Sequence, residues 1–501
     1  MKSFWNESLE NKLQFPEINE NIETSVCIIG AGLTGLSTGY YLSKHTDVVI
    51  LEKDKFCGST SGKNTGKVTS QHGVFYKYLI DSNGKDFAKK YLNANEKAIK
   101  NIEEIVNTEN IECDFEKESA YVFSSQENGI EQLKEEKKAV DKIEKEKCKY
   151  VKNIELPIQK AEAIEFENQA KFNPTKYAYG LTNCIINNGG KILENSKATD
   201  INKVGDKYEI SVNDYKITAD KVVIATRYPT INIPGYYFLK MYQSTSYALI
   251  ADVKENLFDG MYLSLDMPIV SFRTVNDNGK KLLLAVGYDY KTGVEQTVNG
   301  YTKLEDTVKK MYPRAEILYK WTAEDCISLD KIPYIGEYSN LMKNLYVATG
   351  FNKWGITSSN IAANIITDKI LGKENEYEEI FKSTRLEPIK NKDEFKNMLK
   401  EAKDSIILSK FKLPKDTIDS VENGQGKIVQ VDNQKVGVYK SETGEVFTVK
   451  PVCTHLGCEL YFNNHDKIWE CPCHGSKFSY EGKALEVPGI KDLELHQHGE
   501  N

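Results

Sequence analysis

Two kinds of hydrophobic pattern alternate along the first 370 residues of the chain. Residues 24–53 hold an apolar run, a glycine turn, a helical pattern and a second apolar run, which predicts a βαβ unit. Residues 84–110 and 130–143 carry apolar side chains at helical spacing. Residues 237–288 alternate as strands. The pattern therefore predicts an α/β unit that is interleaved with an antiparallel sheet.

Length and composition narrow the class of protein. At 501 residues the chain exceeds one ordinary hydrophobic core, and about 150 residues per domain gives about three units. Apolar residues make up 40% and charged residues 28%, the balance of a soluble globular protein. A net charge of −7 argues against nucleic acid as a partner. We expect a cytoplasmic protein without a transmembrane segment, because the sequence has no long apolar run and no signal-peptide pattern.

A glycine turn joins the first predicted strand to its helix. Gly30 allows a tight turn, Gly32 lets a pyrophosphate approach the helix N-terminus, and Gly35 allows close packing of helix on strand. Glu52 follows the second strand and could accept hydrogen bonds from ribose hydroxyls. The neighbouring residues Ala31, Thr34 and Lys53 complete the expected contacts. This context predicts a site for NAD or FAD.

Three further segments favour FAD over NAD. Residues 58–73 form a small, polar, glycine-rich loop suited to contact with phosphate and isoalloxazine. Residues 221–226 form a buried strand that ends in small residues, and residues 345–355 run from a strand into a helix. Amides at that helix start could stabilise negative charge on a reduced flavin. The residues expected to contact FAD here are Ser61, Gly62, Ala225, Thr226, Gly350, Gly355 and Ile356.

These segments occur in the order seen in the glycine/D-amino-acid oxidase (DAO) family of FAD oxidoreductases, which the chain resembles. The resemblance implies an α/β fold in which a Rossmann-like FAD-binding domain is interleaved with an antiparallel-sheet substrate domain. It also implies a donor of the amine or amino-acid class. After an N-terminal arm (1–23), we assign FAD binding to about 24–80, 171–230 and 321–372, and the substrate domain to about 81–170 and 231–320.

Three residues are candidates for chemistry at the flavin, where a substrate C–H must lie near N5 and a cation must hold any carboxylate. Lys353 precedes the flavin-facing helix and could bind a substrate carboxylate or a flavin oxygen; a surface lysine is the alternative. His72 ends the glycine-rich loop and could reach the ring, or it could be a structural histidine. Arg273 lies on a predicted strand and could clamp a carboxylate, or it could form a surface salt bridge.

Cysteine and histidine are concentrated near the C-terminus. The segment reads Cys453-Thr-His455-Leu-Gly-Cys458, then twelve residues, then Cys471-Pro-Cys473-His474-Gly-Ser476. Such spacing can bind either Zn²⁺ or an iron–sulfur cluster. The extra cysteines at matched offsets, glycines that permit tight turns, and a serine that can donate to a sulfide favour the cluster.

These two boxes resemble the Rieske protein of the cytochrome bc complexes. The resemblance implies a [2Fe–2S] cluster in an all-β domain over 415–501, after a linker over 373–414. The implied ligands are Cys453 and Cys471 for one iron and His455 and His474 for the other. It further implies that Cys458 and Cys473 form a disulfide and that Ser476 supports the cluster. High-potential members carry a Tyr where this chain has Phe478, so we expect a lowered potential within roughly −150 to +300 mV.

The combination predicts an oxidoreductase. FAD would take two electrons from a small-molecule donor and pass them singly to the cluster, and then to an external acceptor such as a protein, a quinone or O₂. The alternative is an electron-transfer module that serves a protein or quinone partner without oxidising a small molecule. A crowded, carboxylate-binding pocket would favour the first hypothesis, and an occluded flavin face the second.

Overall fold

The computed structural model describes residues 3–9, 13–229, 231, 234–294, 298–385 and 413–496. The first part of the chain forms α1 (Phe4–Glu7), β1 (Ile22–Ile29), α2 (Leu33–Leu42), β2 (Val48–Leu51), β3 (Lys67–Val68), α3 (Tyr76–Asn83), α4 (Lys85–Thr108), β4 (Glu116–Ser124), α5 (Glu127–Ile143), β5 (Cys148–Val151), β6 (Glu162–Lys171), α6 (Pro174–Asn187) and β7 (Lys191–Leu193). The middle part forms β8 (Ala198–Val204), β9 (Lys207–Val212), β10 (Tyr215–Ile224), β11 (Met241–Asp252), β12 (Met261–Ser264), β13 (Val270–Asp277), β14 (Lys280–Lys291), α7 (Gly300–Met311), β15 (Glu316–Ser328), β16 (Tyr334–Ser339), β17 (Met342–Thr349), α8 (Gly355–Ile370) and α9 (Glu378–Phe381). The last part forms β18 (Gly426–Val431), β19 (Gln434–Lys440), β20 (Val446–Val449), β21 (Tyr461–Asn463), β22 (Ile468–Glu470), β23 (Lys477–Ser479) and β24 (Ala484–Glu486).

The first sheet has a parallel centre. Strands β17, β10, β1, β2 and β7 lie side by side and run parallel, and β16 pairs antiparallel at one edge. All four residues of β2 are buried, as expected for a parallel strand covered on both faces. Helices α2 and α8 pack against each other beside this sheet. The predicted Rossmann-like unit is confirmed.

The second sheet has nine strands and is almost entirely antiparallel. Its order is β15-β11-β14-β13-β12-β4-β6-β3, with β5 also paired to β6, and only β12 and β4 run parallel. In the sequence, β3–β6 of this sheet fall between β2 and β7 of the first sheet, and β11–β15 fall between β10 and β16. The two units are therefore interleaved as predicted. The two predicted amphipathic helices are α4 and α5, whose apolar faces are buried.

The C-terminal part is all-β. Strands β18–β20 form one antiparallel sheet and β21–β24 another. Trp469 is fully buried, and its ring contacts that of Phe462 at a centroid distance of 4.7 Å. The predicted combination of an α/β unit, an interleaved sheet and an all-β domain is therefore confirmed.

The segments that flank the α/β unit pack on it. Trp5 of the N-terminal arm is buried, and its Nε1 donates to the Asn64 carbonyl oxygen at 2.7 Å. The start of the predicted linker contains α9, and Arg385 makes hydrogen bonds of 2.6 and 2.9 Å to the Asp330 carboxylate. The rest of that linker, 386–412, lies outside the described residues. Across the described ranges, the helices lack the length and apolar composition of a membrane span.

Candidate functional site

The carboxyl ends of four parallel strands meet at one edge of the first sheet. Gly30 follows β1, Glu52 follows β2, Ala225 follows β10 and Gly350 follows β17. All four residues line a cavity of about 530 Å³. Open α/β sheets bind their ligands at this edge of the sheet. The cavity is therefore the candidate FAD site.

The turn after β1 is packed too closely for a side chain at its two glycines. Gly30 has φ of 109°, and a Cβ atom there would lie 2.7 Å from the Ala225 carbonyl oxygen. A Cβ atom on Gly32 would lie 2.8 Å from Ser61 Oγ. Helix α2 begins directly after Gly32, so its positive end faces the cavity, as a pyrophosphate requires. The cavity and the dipole of α2 fit a dinucleotide.

Most residues predicted to contact FAD line this cavity, and three do not. Those that line it are Gly30, Gly32, Thr34, Glu52, Lys53, Ser61, Ala225, Thr226, Gly350, Gly355 and Ile356. Those outside the lining are Ala31, Gly35 and Gly62. A Cβ atom on Gly35 would lie 1.9 Å from the Gly30 carbonyl oxygen, and one on Gly62 would lie 2.1 Å from the Cys57 carbonyl oxygen. Both glycines therefore serve close backbone packing around the cavity.

Lys353 lies on the cavity wall as part of an ion pair. Its Nζ is 2.9 Å from Asp289 Oδ2 and 3.4 Å from Ser246 Oγ. Asp289 and Ser246 also line the cavity. The ammonium group faces the cavity with a carboxylate beside it, so a ligand here meets both charges.

His72 reaches the cavity but both of its ring nitrogens are engaged. Nδ1 lies 2.9 Å from the Tyr91 hydroxyl and Nε2 lies 2.9 Å from the Thr69 carbonyl oxygen. The ring stacks on Trp354 at a centroid distance of 4.5 Å. Burial lowers the pKa of His72 to about 3, so the imidazole is neutral. This geometry favours the structural alternative.

Arg273 does not reach the cavity. Its side chain is 3% exposed, and Nη2 donates to the Phe172 carbonyl oxygen at 3.2 Å. The guanidinium lies 5.2 Å from the ring centroid of Trp5. Residues of the glycine-rich loop and the N-terminal arm cover the guanidinium, which lies beside Gly66 and Trp5 and outside the cavity lining, so Arg273 does not have the position of a surface ion pair.

Lys67 is a cavity residue that the sequence analysis missed. Its Nζ donates to the Tyr262 carbonyl oxygen at 2.9 Å and to Ser271 Oγ at 2.5 Å. Burial lowers the pKa of Lys67 to about 7. Its place in the glycine-rich loop was the available signal, but nothing in the loop separates it from Lys63.

The two cysteine boxes fold into loops of the same geometry. The Cys453 carbonyl oxygen accepts from the Gly457 N–H at 3.0 Å, and the Cys471 carbonyl oxygen accepts from the Gly475 N–H at 2.9 Å. The two glycines have φ of 78° and 77°. Glycine is favoured at both positions because L side chains rarely adopt this conformation.

The cysteine sulfurs separate into a bonded pair and two free thiols. Sγ atoms of Cys458 and Cys473 lie at a disulfide distance of 2.23 Å, which joins the loops. Cys453 and Cys471 are free and buried. A hydrogen bond with Cys471, against a smaller effect of burial, lowers the pKa of the Cys453 thiol to about 7. Two free thiols in contact are a suitable donor pair for one iron.

Two histidines lie beside these thiols. The rings of His455 and His474 are 5.0 Å apart between centroids. His474 Nε2 lies 3.1 Å from the Phe238 carbonyl oxygen, while its buried Nδ1 has no hydrogen-bond partner within the described part of the chain. Burial lowers the pKa of His455 to about 4 and that of His474 to about 3. A neutral imidazole whose outer nitrogen is held by a carbonyl fits a metal ligand.

Ser476 and Phe478 flank the cluster loops. Ser476 Oγ accepts from the Gly489 N–H at 2.9 Å, and its hydroxyl also helps to lower the pKa of the Cys453 thiol. Phe478 is fully buried, and its ring brings no hydroxyl to the loops. The hydrogen-bonding support from these two positions therefore comes from Ser476.

The cluster loops dock directly on the second sheet. Gln243 Nε2 donates to the His474 carbonyl oxygen at 2.6 Å and to the Val487 carbonyl oxygen at 2.8 Å. A Cβ atom on Gly475 would lie 2.6 Å from Gln243 Cβ, and one on Gly293 would lie 2.4 Å from Pro472 Cα. The fit leaves no room for side chains at these glycines.

Buried ion pairs cross the same interface. The charged residues are Lys63, Arg227 and Glu324 of the FAD-dependent oxidoreductase part, and Glu470, Lys477 and Glu486 of the C-terminal domain. Lys477 Nζ is 2.9 Å from Glu324 Oε1, and Arg227 Nη2 is 3.0 Å from Glu486 Oε2. Lys63 Nζ lies 3.6 Å from both Glu324 and Glu486. Three positive and three negative charges balance, as burial requires.

Tyr228 lies between the cavity and the histidines. Its side chain is 1% exposed, and its ring centroid is 6.1 Å from that of His455 and 6.3 Å from that of His474. Two residues earlier in the chain, Thr226 lines the cavity. A short stretch after β10 therefore connects the two candidate cofactor sites.

Known proteins share both halves of this arrangement. The family model for DAO, FAD dependent oxidoreductase, matches residues 25–369, and that for the Rieske [2Fe-2S] domain matches residues 412–497. The chain is 34% identical over 495 residues to the putative Rieske 2Fe-2S iron-sulfur protein YhfW of Bacillus subtilis (strain 168), covering 98% of this chain and 97% of that protein.

Two further proteins resemble the α/β part. Gamma-glutamylputrescine oxidoreductase of Escherichia coli (strain K12) is 23% identical over 395 residues, which are 74% of this chain and 89% of that protein. The crystal structure of glycine oxidase from Geobacillus kaustophilus shares the fold with a TM-score of 0.62 and 18% identity, over 73% of this chain and 99% of that one. The chain therefore belongs to the DAO family of FAD-dependent oxidoreductases, and it binds FAD and, in a C-terminal Rieske domain, a [2Fe–2S] cluster.

Proposed function

We propose that the protein oxidises an amine or amino acid in the cavity and that the electrons leave singly through the Rieske cluster to an external acceptor. When bound, FAD supplies hydride acceptance and the cluster supplies one-electron transfer. The names of the two relatives refer to glycine and to gamma-glutamylputrescine, an amino acid and an amine. These names support the donor class.

The observation that carries the electron route is the short stretch of chain after β10 that lies between the two sites. Thr226 lines the cavity, and two residues later the buried ring of Tyr228 lies 6.1 Å from that of His455 and 6.3 Å from that of His474. This packed contact supports electron transfer from the cavity to the cluster ligands.

The cavity offers charges suited to a zwitterion. Lys353 could hold the substrate carboxylate, while Asp289 beside it could hold the ammonium group. Lys67 places another amine in the cavity wall, and its lowered pKa allows it to be neutral near pH 7. A neutral amine can accept the proton that an alkylammonium donor must lose.

The test is an anaerobic stopped-flow screen of amines and amino acids. A true donor should bleach the flavin absorbance first and the cluster absorbance afterwards, because a one-electron iron site cannot accept a hydride. Reduction of the cluster before the flavin would contradict the proposal. That result would favour an electron-transfer module that receives its electrons from another protein.

A further inference from the structure

We infer that the Rieske domain forms one wall of the FAD site, at its adenosine end, so that tight FAD binding requires the docked Rieske domain. The segment concerned is residues 485–490, called here the wall segment. FAD binding can be measured without turnover, so this inference does not depend on the proposed direction of electron flow.

The adenosine end of the cavity is marked by the end of β2. Glu52 follows that strand, where a carboxylate accepts ribose hydroxyls in this type of fold, and its Oε2 accepts from the Ala31 N–H at 3.0 Å. Lys53, Lys197 and Ala198 line the cavity from the same side. The wall segment lies against these residues.

Two lysines of the α/β unit hold the wall segment by its backbone. Lys53 Nζ donates to the Leu485 carbonyl oxygen at 2.8 Å, and Lys197 Nζ donates to the Ile490 carbonyl oxygen. Gln243 holds the Val487 carbonyl oxygen from the other side. The segment is therefore fixed at its start, middle and end.

Three side chains of the wall segment face the cavity. Glu486, Val487 and Ile490 all line it. Val487 is 7% exposed and packs in one apolar cluster with Ile29 and Leu51, the last residues of β1 and β2. Those strand ends face the adenosine part of a dinucleotide, so Val487 and Ile490 complete the apolar surface there. Undocking of the Rieske domain would expose this end to water.

The wall segment is also tied to the cluster. The Gly489 N–H donates to Ser476, whose hydroxyl contacts the Cys453 thiol. Gln243 bonds the Val487 and His474 carbonyl oxygens with the same Nε2. If the bound cluster strengthens FAD binding, then bound FAD strengthens cluster binding by the same free energy, because coupling between two sites is reciprocal.

The experiment measures FAD release from the full-length holoprotein. Val487→Ala and Ile490→Ala remove apolar contacts from the cavity wall, and Ile490→Asp adds a charge there. Leu485→Asp is the matched control, because this side chain belongs to the same segment but is 41% exposed and does not line the cavity. After dilution, the recovery of free FAD fluorescence gives the release rate and the dissociation constant.

We expect several-fold weaker FAD binding in the alanine variants, a larger loss in Ile490→Asp, and none in Leu485→Asp. Iron and labile sulfide content confirm that the Rieske domain is intact. If Ile490→Asp loses the cluster, its FAD release is not interpreted, and the alanine variants alone test the inference. Wild-type FAD release from Val487→Ala and Ile490→Ala proteins that keep their cluster would overturn the inference, as would an equal effect of Leu485→Asp.

Discussion

At the scale of single residues, Lys67 is a side chain in the cavity whose charge changes near neutral pH. Because burial lowers its pKa to about 7, it is protonated below that pH and neutral above it. We expect kcat/KM for an amine donor to rise with pH through about 7. Lys67→Met should remove that limb and lower kcat/KM at pH 8 by about 10²-fold, the usual scale of general base catalysis.

The pH profiles of both proteins provide the measurement. FAD and iron content should stay at wild-type values in Lys67→Met, because Lys67 is bonded to Tyr262 and Ser271 rather than to the glycine turn or the cluster loops. An unchanged limb in the variant would assign it to another group.

Tyr228 allows a test of the path between the cavity and the cluster histidines. Its hydroxyl is buried without a hydrogen-bond partner in the described ranges, so Tyr228→Phe keeps the packing between cavity and histidines. Tyr228→Leu removes the ring and leaves a gap, and electron transfer across a gap is slower than through packed atoms. We expect the flavin-to-cluster step in stopped flow to be unchanged in the first variant and several-fold slower in the second. Equal rates in Tyr228→Leu would exclude this path.

At the scale of elements, the two cysteine loops differ in what surrounds their glycines. Gly457 and Gly475 have nearly the same φ, so alanine strains each by roughly 1–2 kcal/mol. A Cβ atom on Gly457 meets nothing within 4 Å, whereas one on Gly475 meets Gln243. Gly475→Ala should therefore disturb the docking of the domain as well.

Thermal unfolding followed by cluster absorbance separates the two effects. We expect Gly475→Ala to lower Tm more than Gly457→Ala and also to slow the flavin-to-cluster step, which Gly457→Ala should leave unchanged. The same rate in both variants would show that Gln243 adapts at no cost to docking.

At the scale of the whole molecule, buried ion pairs hold the Rieske domain on the flavin unit. Lys477→Met leaves Glu324 and Glu470 buried without their nearest cation, which costs about 3–5 kcal/mol. Lys483→Met is the matched control, because the Lys483–Asp492 pair is exposed and such pairs contribute little to stability. Calorimetry of the two holoproteins should show a large loss of Tm for the first variant and almost none for the second. Similar losses would mean that water reaches the interface.

The sequence predicts those parts of the molecule that are built from one contiguous segment of the chain. The strand ends around Gly30 and the two cysteine boxes are contiguous patterns, and both cofactors follow from them. The interface is different, because Arg227, Gln243 and Glu324 come from distant strands and carry no local signature of docking. The position of Arg273 is also set by distant residues: Ser271, on the same face of β13, lines the cavity, whereas Arg273 is covered by Gly66 and Trp5.

The hydrogen bond between His474 and the Phe238 carbonyl oxygen gives the cluster an inner and an outer side. In its docked position, His474 is turned inward and His455 is half-buried. Val452 and Leu456, on either side of His455, are each 38% exposed. Under the proposed function, an external acceptor would therefore collect its electron at the His455 edge of the docked domain.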